Sequence, residues 1–194
     1  MNIIYLHGFQ SSALSIKGQL LKQYFASHQQ VNVYLPDLNC PPIEVLAKLS
    51  RLIESLDNVV LVGSSLGGFY ATQLVAQFGL PAVLINPAMQ PWKLFRKLFG
   101  QGLLPYKVTH DWTLDEAQLD HLEQMAVPFV QDAGKILVLV QQGDEILDYR
   151  EAQRYYSVGK NRALIMTETK GNHAMDDFAE KIPMAFQFLS DCIK

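Results

Sequence analysis

The chain has 194 residues, of which 49% are hydrophobic and 18% are charged. This length and composition predict a single soluble domain, residues 1–194, with a substantial apolar core. The net charge is −3 and no block of lysine or arginine occurs, which argues against a nucleic-acid partner. We also find no apolar stretch long enough to span a membrane and no signal-peptide pattern at the start.

The two cysteines, Cys40 and Cys192, are far apart and do not have the spacing of metal ligands. We therefore expect two reduced thiols in a cytoplasmic protein. Cys40 directly precedes Pro41-Pro42, which is not the context of an activated nucleophile. The cysteines therefore predict no metal site.

Short apolar strands alternate with amphipathic helices along most of the chain. Strands are expected at 2–6, 31–35, 59–62, 82–85, 136–140 and 162–167. The alternation predicts an α/β fold in which a mostly parallel, six-stranded sheet carries helices on both faces. Ser15 is expected to cap the first helix, and Pro183 to kink or divide the last one, which begins near Ala174.

The alternation lapses over about residues 87–134. This lapse predicts an insertion of one or two helices, the size of a small lid. We expect Thr113 and Glu116 to form a capping box at the start of one of these helices.

A glycine-flanked serine separates an apolar strand from a helix in the segment 59–78. Gly63-Ser64-Ser65-Leu66-Gly67 fits the pattern G-x-S-x-G, and the order strand, serine, helix is that of a nucleophile elbow. Such a turn needs a positive φ at Ser65 and close approach of strand and helix, which only Gly63 and Gly67 permit. The Leu66 N–H, at the start of the helix, would face a developing oxyanion.

A serine hydroxyl is a poor nucleophile unless a base lies beside it. Of the five histidines, His173 follows the last strand in a short polar loop, from which its ring can face Ser65. His7 follows the first strand, beside the expected oxyanion site. We therefore expect His173 to be the base.

A carboxylate should orient the base, and Asp144, Glu145 and Asp148 are the candidates. Asp148 directly precedes a predicted helix, so capping explains its presence. Asp144 follows Gly143 at the end of a strand and has no evident local role, so we favour Asp144 and keep Asp148 as the alternative. The chain order is then Ser, Asp, His.

The second oxyanion donor should come from the loop after the first strand. His7-Gly8-Phe9 fits, because Gly8 lets the backbone come close and the Phe9 N–H would join that of Leu66.

These segments together resemble the α/β-hydrolases, and most closely the small YqiA-type bacterial esterases. The resemblance is carried by 5–9, 63–69, 143–149 and 171–173 and spans nearly the whole chain. It implies a trimmed α/β-hydrolase fold, because no room exists before Asn2 for extra strands. It also implies a serine esterase without a cofactor, acting on small acyl esters or acyl-CoA thioesters, with Ser65, Asp144 and His173 as its triad.

The substrate is less defined than the chemistry. The aromatic face of one inserted helix, made by Trp92, Phe95 and Phe99, is a candidate acyl pocket, although simple packing explains the same pattern. The basic residues beside it, which would meet an anionic leaving group such as CoA, are Lys93, Arg96 and Lys97. A hydrolase-fold protein that binds a ligand or partner without catalysis is the alternative function, and the oligomeric state is not predicted.

Overall fold

The computed structural model describes residues 1–100 and 102–193. The strands are β1 (Asn2–Leu6), β2 (Asn32–Tyr34), β3 (Val59–Ser64), β4 (Ala82–Ile85), β5 (Tyr106–Lys107), β6 (Thr113–Leu114), β7 (Ile136–Gln141) and β8 (Leu164–Glu168). The helices are α1 (Ile16–Phe25), α2 (Pro42–Glu54), α3 (Leu66–Phe78), α4 (Pro91–Phe99), α5 (Glu116–Met125), α6 (Tyr149–Tyr156) and α7 (Phe178–Cys192).

Six strands form one sheet in the order β2-β1-β3-β4-β7-β8, and every neighbouring pair is parallel. This confirms the predicted α/β architecture. The strand order reverses between the neighbours β1 and β3. The strand after β1 is added on one side of this pair, and the strand after β3 is added on the other side. Such a switch point leaves a crevice at the carboxyl ends of the strands. Leu6 pairs with Gly63, so β1 and β3 end at the same level.

Successive strand residues enter two separate cores, as the period of two in a strand requires. In β1, Ile3 and Tyr5 face the core formed with α1 and α7. Ile4 and Leu6 face the opposite core, which α2, α3 and α6 complete. Burial on both faces explains why the strands are almost continuously apolar.

The predicted insertion contains α4, α5 and a short antiparallel hairpin of β5 and β6. Its buried side chains join the core on the α2 and α3 face. The predicted capping box is wrong, because Thr113 pairs with Lys107 in the hairpin. Asp115 caps α5 instead, and its carboxylate accepts the Gln118 N–H at 2.9 Å.

The two helix ends singled out in the sequence also differ from expectation. Ser15 occupies the N-cap position of α1 but makes no side-chain capping hydrogen bond. The last helix begins at Phe178 and continues through Pro183 as a single α-helix. Pro183 is the sixth residue of α7 and has no N–H to donate to the carbonyl of Ala179. No helix among the described residues is long and apolar enough to cross a membrane.

Candidate active site

Ser65 lies in a sharp turn between β3 and α3, with a φ of +55°. The flanking glycines are required by close contact. A β-carbon on Gly63 would lie 2.5 Å from the carbonyl oxygen of Gly67, and one on Gly67 would collide with the carbonyl oxygen of Leu6. The Ser65 side chain makes no capping hydrogen bond to its own helix. The hydroxyl is therefore available to a partner from elsewhere in the chain.

That partner is His173. Ser65 Oγ lies 3.0 Å from His173 Nε2, and His173 Nδ1 lies 2.8 Å from Asp144 Oδ2. An ionised carboxylate only accepts, so Nδ1 carries the proton and the lone pair of Nε2 faces the Ser65 hydroxyl. The Asp144 side chain is 2% exposed and that of His173 is 21% exposed. A buried carboxylate, a half-buried imidazole and a hydroxyl thus form one hydrogen-bonded series.

Asp144, not Asp148, makes this contact with the imidazole. The carboxylate of Asp148 caps α6 by accepting the Arg150 N–H at 3.0 Å, as expected. Asp144 has a local role as well, which the sequence did not suggest. Its Oδ1 accepts the N–H groups of Ile146 and Leu147 at 2.8 and 2.9 Å. These bonds fix the carboxylate so that Oδ2 faces His173.

The loop that carries His173 is held by the buried side chain of Asn86. Its Nδ2 donates to the carbonyl oxygens of Asn172 and His173 at 3.0 and 3.2 Å. Its Oδ1 accepts the Gln141 N–H at 3.0 Å, and Gln141 Oε1 accepts the Asn172 N–H at 2.9 Å. Glu145 Oε2 accepts the N–H of His173 itself at 3.0 Å. The ends of β4 and β7 therefore fix the backbone around the imidazole.

The Gln141 side chain belongs to a hydrogen-bonded network with three charged side chains. Gln141 Nε2 donates to Glu168 Oε2 and Asp177 Oδ1 at 2.7 and 2.9 Å. Lys181 Nζ donates to the other oxygen of each carboxylate, at 2.8 and 2.6 Å. The Lys181 hydrogen bond lowers the pKa of Asp177 against the opposing effect of burial. Burial alone would lower the pKa of Lys181, but the two carboxylates outweigh it and raise that pKa.

The loop after β1 comes very close to Ser65. A β-carbon at Gly8 would lie 3.2 Å from the Ser65 Cβ, closer than carbon atoms normally pack. His7 is buried and accepts the Leu38 N–H on Nε2 at 3.0 Å, so its Nδ1 donates to the Gly8 carbonyl oxygen at 2.8 Å. Because the peptide is planar and trans, fixing that carbonyl also fixes the direction of the Phe9 N–H.

The two predicted oxyanion donors lie on backbone segments next to Ser65. Phe9 belongs to the loop after β1, and Leu66 is the first residue of α3. The first N–H groups of a helix have no partner within it, and they lie at the positive end of its dipole. The assignment of both N–H groups to an oxyanion stays a prediction.

Ser65 and His173 line a cavity of about 500 Å³ between the β1 loop and the start of α1. The aromatic residues of α4 do not line it. Phe95 packs against the ring of Phe9, with centroids 4.6 Å apart. Trp92 lines a separate cavity of about 520 Å³ beside α6. The candidate acyl pocket of Trp92, Phe95 and Phe99 is therefore not brought to Ser65.

Comparison with known sequences identifies the family. The family model described as Uncharacterised protein family UPF0227 matches residues 2–190. The chain belongs to the UPF0227 family. This match, together with the fold, confirms the resemblance to α/β-hydrolases that the motifs predicted.

Solved structures similar to this UPF0227 chain include proteins described as hydrolases, esterases or lipases. Mouse alpha/beta hydrolase domain-containing protein 10 has a TM-score of 0.74 at 15% identity, covering 100% of this chain and 90% of that one. Est1E from Butyrivibrio proteoclasticus, solved with ferulic acid bound, has 0.74 at 15%, covering 99% and 88%. A Paleococcus ferrophilus monoacylglycerol lipase has 0.68 at 16%, covering 97% and 94%. At these identities the likeness establishes the α/β-hydrolase fold alone.

The basic residues predicted beside the aromatic face of α4 do not line the Ser65 cavity. Arg96 binds three carboxylates of α5, and the side-chain hydrogen bonds of Glu123 and Glu116 raise its pKa above the usual value. These partners are Glu116, Asp120 and Glu123. Lys93 and Lys97 line a small cavity against α6 that does not include Ser65. The predicted meeting of Arg96 with a CoA anion is therefore not supported.

Asn86 and Lys17 are among the residues that the sequence analysis did not identify. Asn86 directly follows the predicted strand 82–85, and its position before Pro87 is the one local signal. A φ of +41° there is tolerated better by asparagine than by most residues. Lys17 lines the Ser65 cavity, although in the sequence it is an ordinary lysine at the start of an amphipathic helix.

Proposed function

We propose that this UPF0227 chain is a serine hydrolase that cleaves acyl esters through Ser65, His173 and Asp144. The observation that carries the proposal is the hydrogen-bonded series from Ser65 Oγ to Asp144 Oδ2 through both ring nitrogens of His173. Its position at the carboxyl ends of the strands, next to the switch point, is where α/β sheets bind ligands.

The reaction begins when Ser65 Oγ attacks the ester carbonyl carbon and its proton passes to His173 Nε2. The carbonyl oxygen becomes an oxyanion that accepts the N–H groups of Phe9 and Leu66. Asp144, bonded to Nδ1, stabilises the imidazolium that forms. When the tetrahedral intermediate collapses, His173 gives its proton to the leaving alcohol and the acyl group stays on Ser65 Oγ.

The second half of the reaction repeats these roles with water. His173 takes a proton from a water molecule as the water oxygen attacks the acyl-enzyme carbonyl. The second intermediate expels Ser65 Oγ, which recovers the proton from His173, and the carboxylic acid leaves. No cofactor takes part in this sequence.

Acyl esters are the proposed substrates, and acyl-CoA thioesters are a second class to be tested with the same enzyme. The cytoplasm is the proposed location, where Cys40 and Cys192, both free thiols, would remain reduced.

A fluorophosphonate probe followed by peptide mass spectrometry tests the proposal. We expect one adduct, on Ser65, which is absent in Ser65→Ala and forms at least about a thousandfold more slowly in His173→Ala. Ser55→Ala, an exposed serine on another part of the surface, is the matched control and should label normally. An ester and acyl-CoA panel then measures turnover.

Absence of an adduct in folded protein would overturn the proposal. The alternative, a hydrolase-fold protein that binds a ligand without catalysis, would then be favoured. Normal ester hydrolysis by folded Ser65→Ala would contradict the assignment of the nucleophile.

A further inference from the structure

One lysine shares the cavity of Ser65 and His173. Lys17, on the first turn of α1, lines this cavity. No aspartate or glutamate is among the described residues that line it. The charge lining the proposed active site is therefore positive, in a protein whose net charge is −3.

Lys17 is partly buried and forms no ion pair within the described part of the chain. Burial lowers the pKa of the Lys17 ammonium, and the attraction of Asp176 opposes this effect only in part. The Asp176 carboxylate also accepts the side-chain N–H of Asn172 on Oδ2, at 2.7 Å. A cation held in this way is stabilised by any anion that enters the cavity.

Several serine residues line the same space. Three serines besides Ser64 and Ser65 line the cavity, namely Ser11, Ser12 and Ser15. The Oγ of Ser12 already accepts the Leu14 N–H at 3.1 Å, so its proton is free to be donated. Hydroxyl protons beside an ammonium group form a set of donors suited to carboxylate or phosphate oxygens.

We propose that the ester cleaved at Ser65 carries a carboxylate or a phosphate that binds Lys17 and the neighbouring serine hydroxyls. The inference rests on the proposed function and names its substrate class. Because Lys17 and Ser65 line one cavity of about 500 Å³, a single bound molecule can carry both the anion and the scissile ester. The apolar members of the lining, which include Phe9, Leu14 and Ile16, contact the uncharged part of the substrate.

Two pairs of esters distinguish an anion on the acyl side from one on the alcohol side. The acyl pair is monomethyl adipate and dimethyl adipate. The alcohol pair is monobutyryl glycerol phosphate and monobutyryl glycerol. Selectivity is the ratio of kcat/KM for the charged ester over its neutral partner, and we expect it to be at least tenfold in one pair.

Three variants isolate the charge. Lys17→Gln should reduce that selectivity at least tenfold, and Lys17→Arg should retain it. Lys22→Gln, an exposed lysine on the same helix, is the matched control and should leave it unchanged. The inference would be overturned if Lys17→Gln lowered kcat/KM equally for the charged and neutral esters, or changed neither value.

Binding to the Ser65→Ala variant separates this inference from the proposed hydrolysis. Calorimetry should detect monomethyl adipate or monobutyryl glycerol phosphate, with affinity at least tenfold lower when Lys17→Gln is added. Anion binding that depends on Lys17, without turnover by the unmodified enzyme, would support the anion site and contradict the hydrolase. Ser65-dependent turnover that is indifferent to Lys17 would support the hydrolase and contradict the anion site.

Discussion

Asn86 holds His173 through the backbone, because its side-chain amide donates to the His173 carbonyl oxygen at 3.2 Å. The same amide donates to the Asn172 carbonyl, while its oxygen accepts the Gln141 N–H. The side chain is buried, so loss of any of these hydrogen bonds would leave an unsatisfied polar group. Asn86 is thus a positioning residue for the proposed base.

Replacing Asn86 by aspartate tests this role. Asn86→Asp keeps the shape but faces two carbonyl oxygens with a carboxylate oxygen, so the His173 loop should shift. We expect kcat to fall about 10- to 100-fold with little change in KM, because misplacement of a catalytic group by about 1 Å has effects of this size. Asn58→Asp is the control, since Asn58 also has a positive φ but is exposed. A variant with normal kcat would show that the loop does not depend on Asn86.

Asp144 combines two roles that one substitution can separate. In Asp144→Asn the amide oxygen still accepts the N–H groups of Ile146 and Leu147, but the amide nitrogen now donates toward His173 Nδ1. The imidazole must then carry its proton on Nε2, where it cannot accept the Ser65 proton, so kcat should fall by about 10⁴.

Stability separates the same two roles. Asp144→Ala also loses the two loop hydrogen bonds. Its free energy of unfolding should therefore be about 1–3 kcal/mol lower than that of Asp144→Asn. Urea titrations and ester kinetics on both variants check this. Equal stability of the two variants would contradict the structural role of Oδ1.

His7 should affect turnover although it contacts no substrate. His7→Phe removes the hydrogen bond to the Gly8 carbonyl and so releases the peptide that carries the Phe9 N–H. We expect kcat to fall by about 10- to 100-fold, less than the 10²- to 10³-fold effect of removing a donor outright. His28→Phe on the surface is the control. A larger effect on KM than on kcat would indicate that His7 shapes the cavity instead.

The hydrogen-bonded network that Glu168, Asp177 and Lys181 form with Gln141 predicts a pH dependence of stability. The pKa of Asp177 is lowered from 3.8, so its contribution is present above that value and is lost as the pH falls through the lowered pKa. The pKa of Lys181 is raised from 10.5, so its contribution is present below 10.5 and is lost as the pH rises through the raised pKa.

Lys181→Met tests the network. It should lower the free energy of unfolding by about 1–2 kcal/mol at pH 7, since the partner carboxylates are partly exposed. As the pH falls through the lowered pKa of Asp177, the difference from the unmodified protein should shrink, because that carboxylate loses its charge. Urea unfolding at pH 7 and pH 3 measures both values, with the exposed Lys160→Met as control. A difference that does not change with pH would contradict the assignment.

The nucleophile turn was predictable because its determinants are local. The apolar strand, the two glycines and the helix that follows are adjacent in sequence, and close backbone approach dictates glycine wherever it occurs. The alternation of strands and helices likewise predicted the sheet. Local reasoning failed at Thr113, where a capping pattern and a hairpin strand were both compatible with the same residues and pairing with Lys107 decided between them.

The sequence by itself determined the parallel sheet, the Ser65 turn and the loop from which His173 would act. Only the tertiary structure decided that Asp144 contacts the imidazole, that Asn86 holds its loop and that Lys17 lines the cavity of Ser65. Ser65 and His173 are 108 residues apart, and contacts over such separations depend on strand order and packing. Periodicity and turn chemistry describe neighbours in the chain, whereas the site is formed by residues that become neighbours when six strands align at one edge.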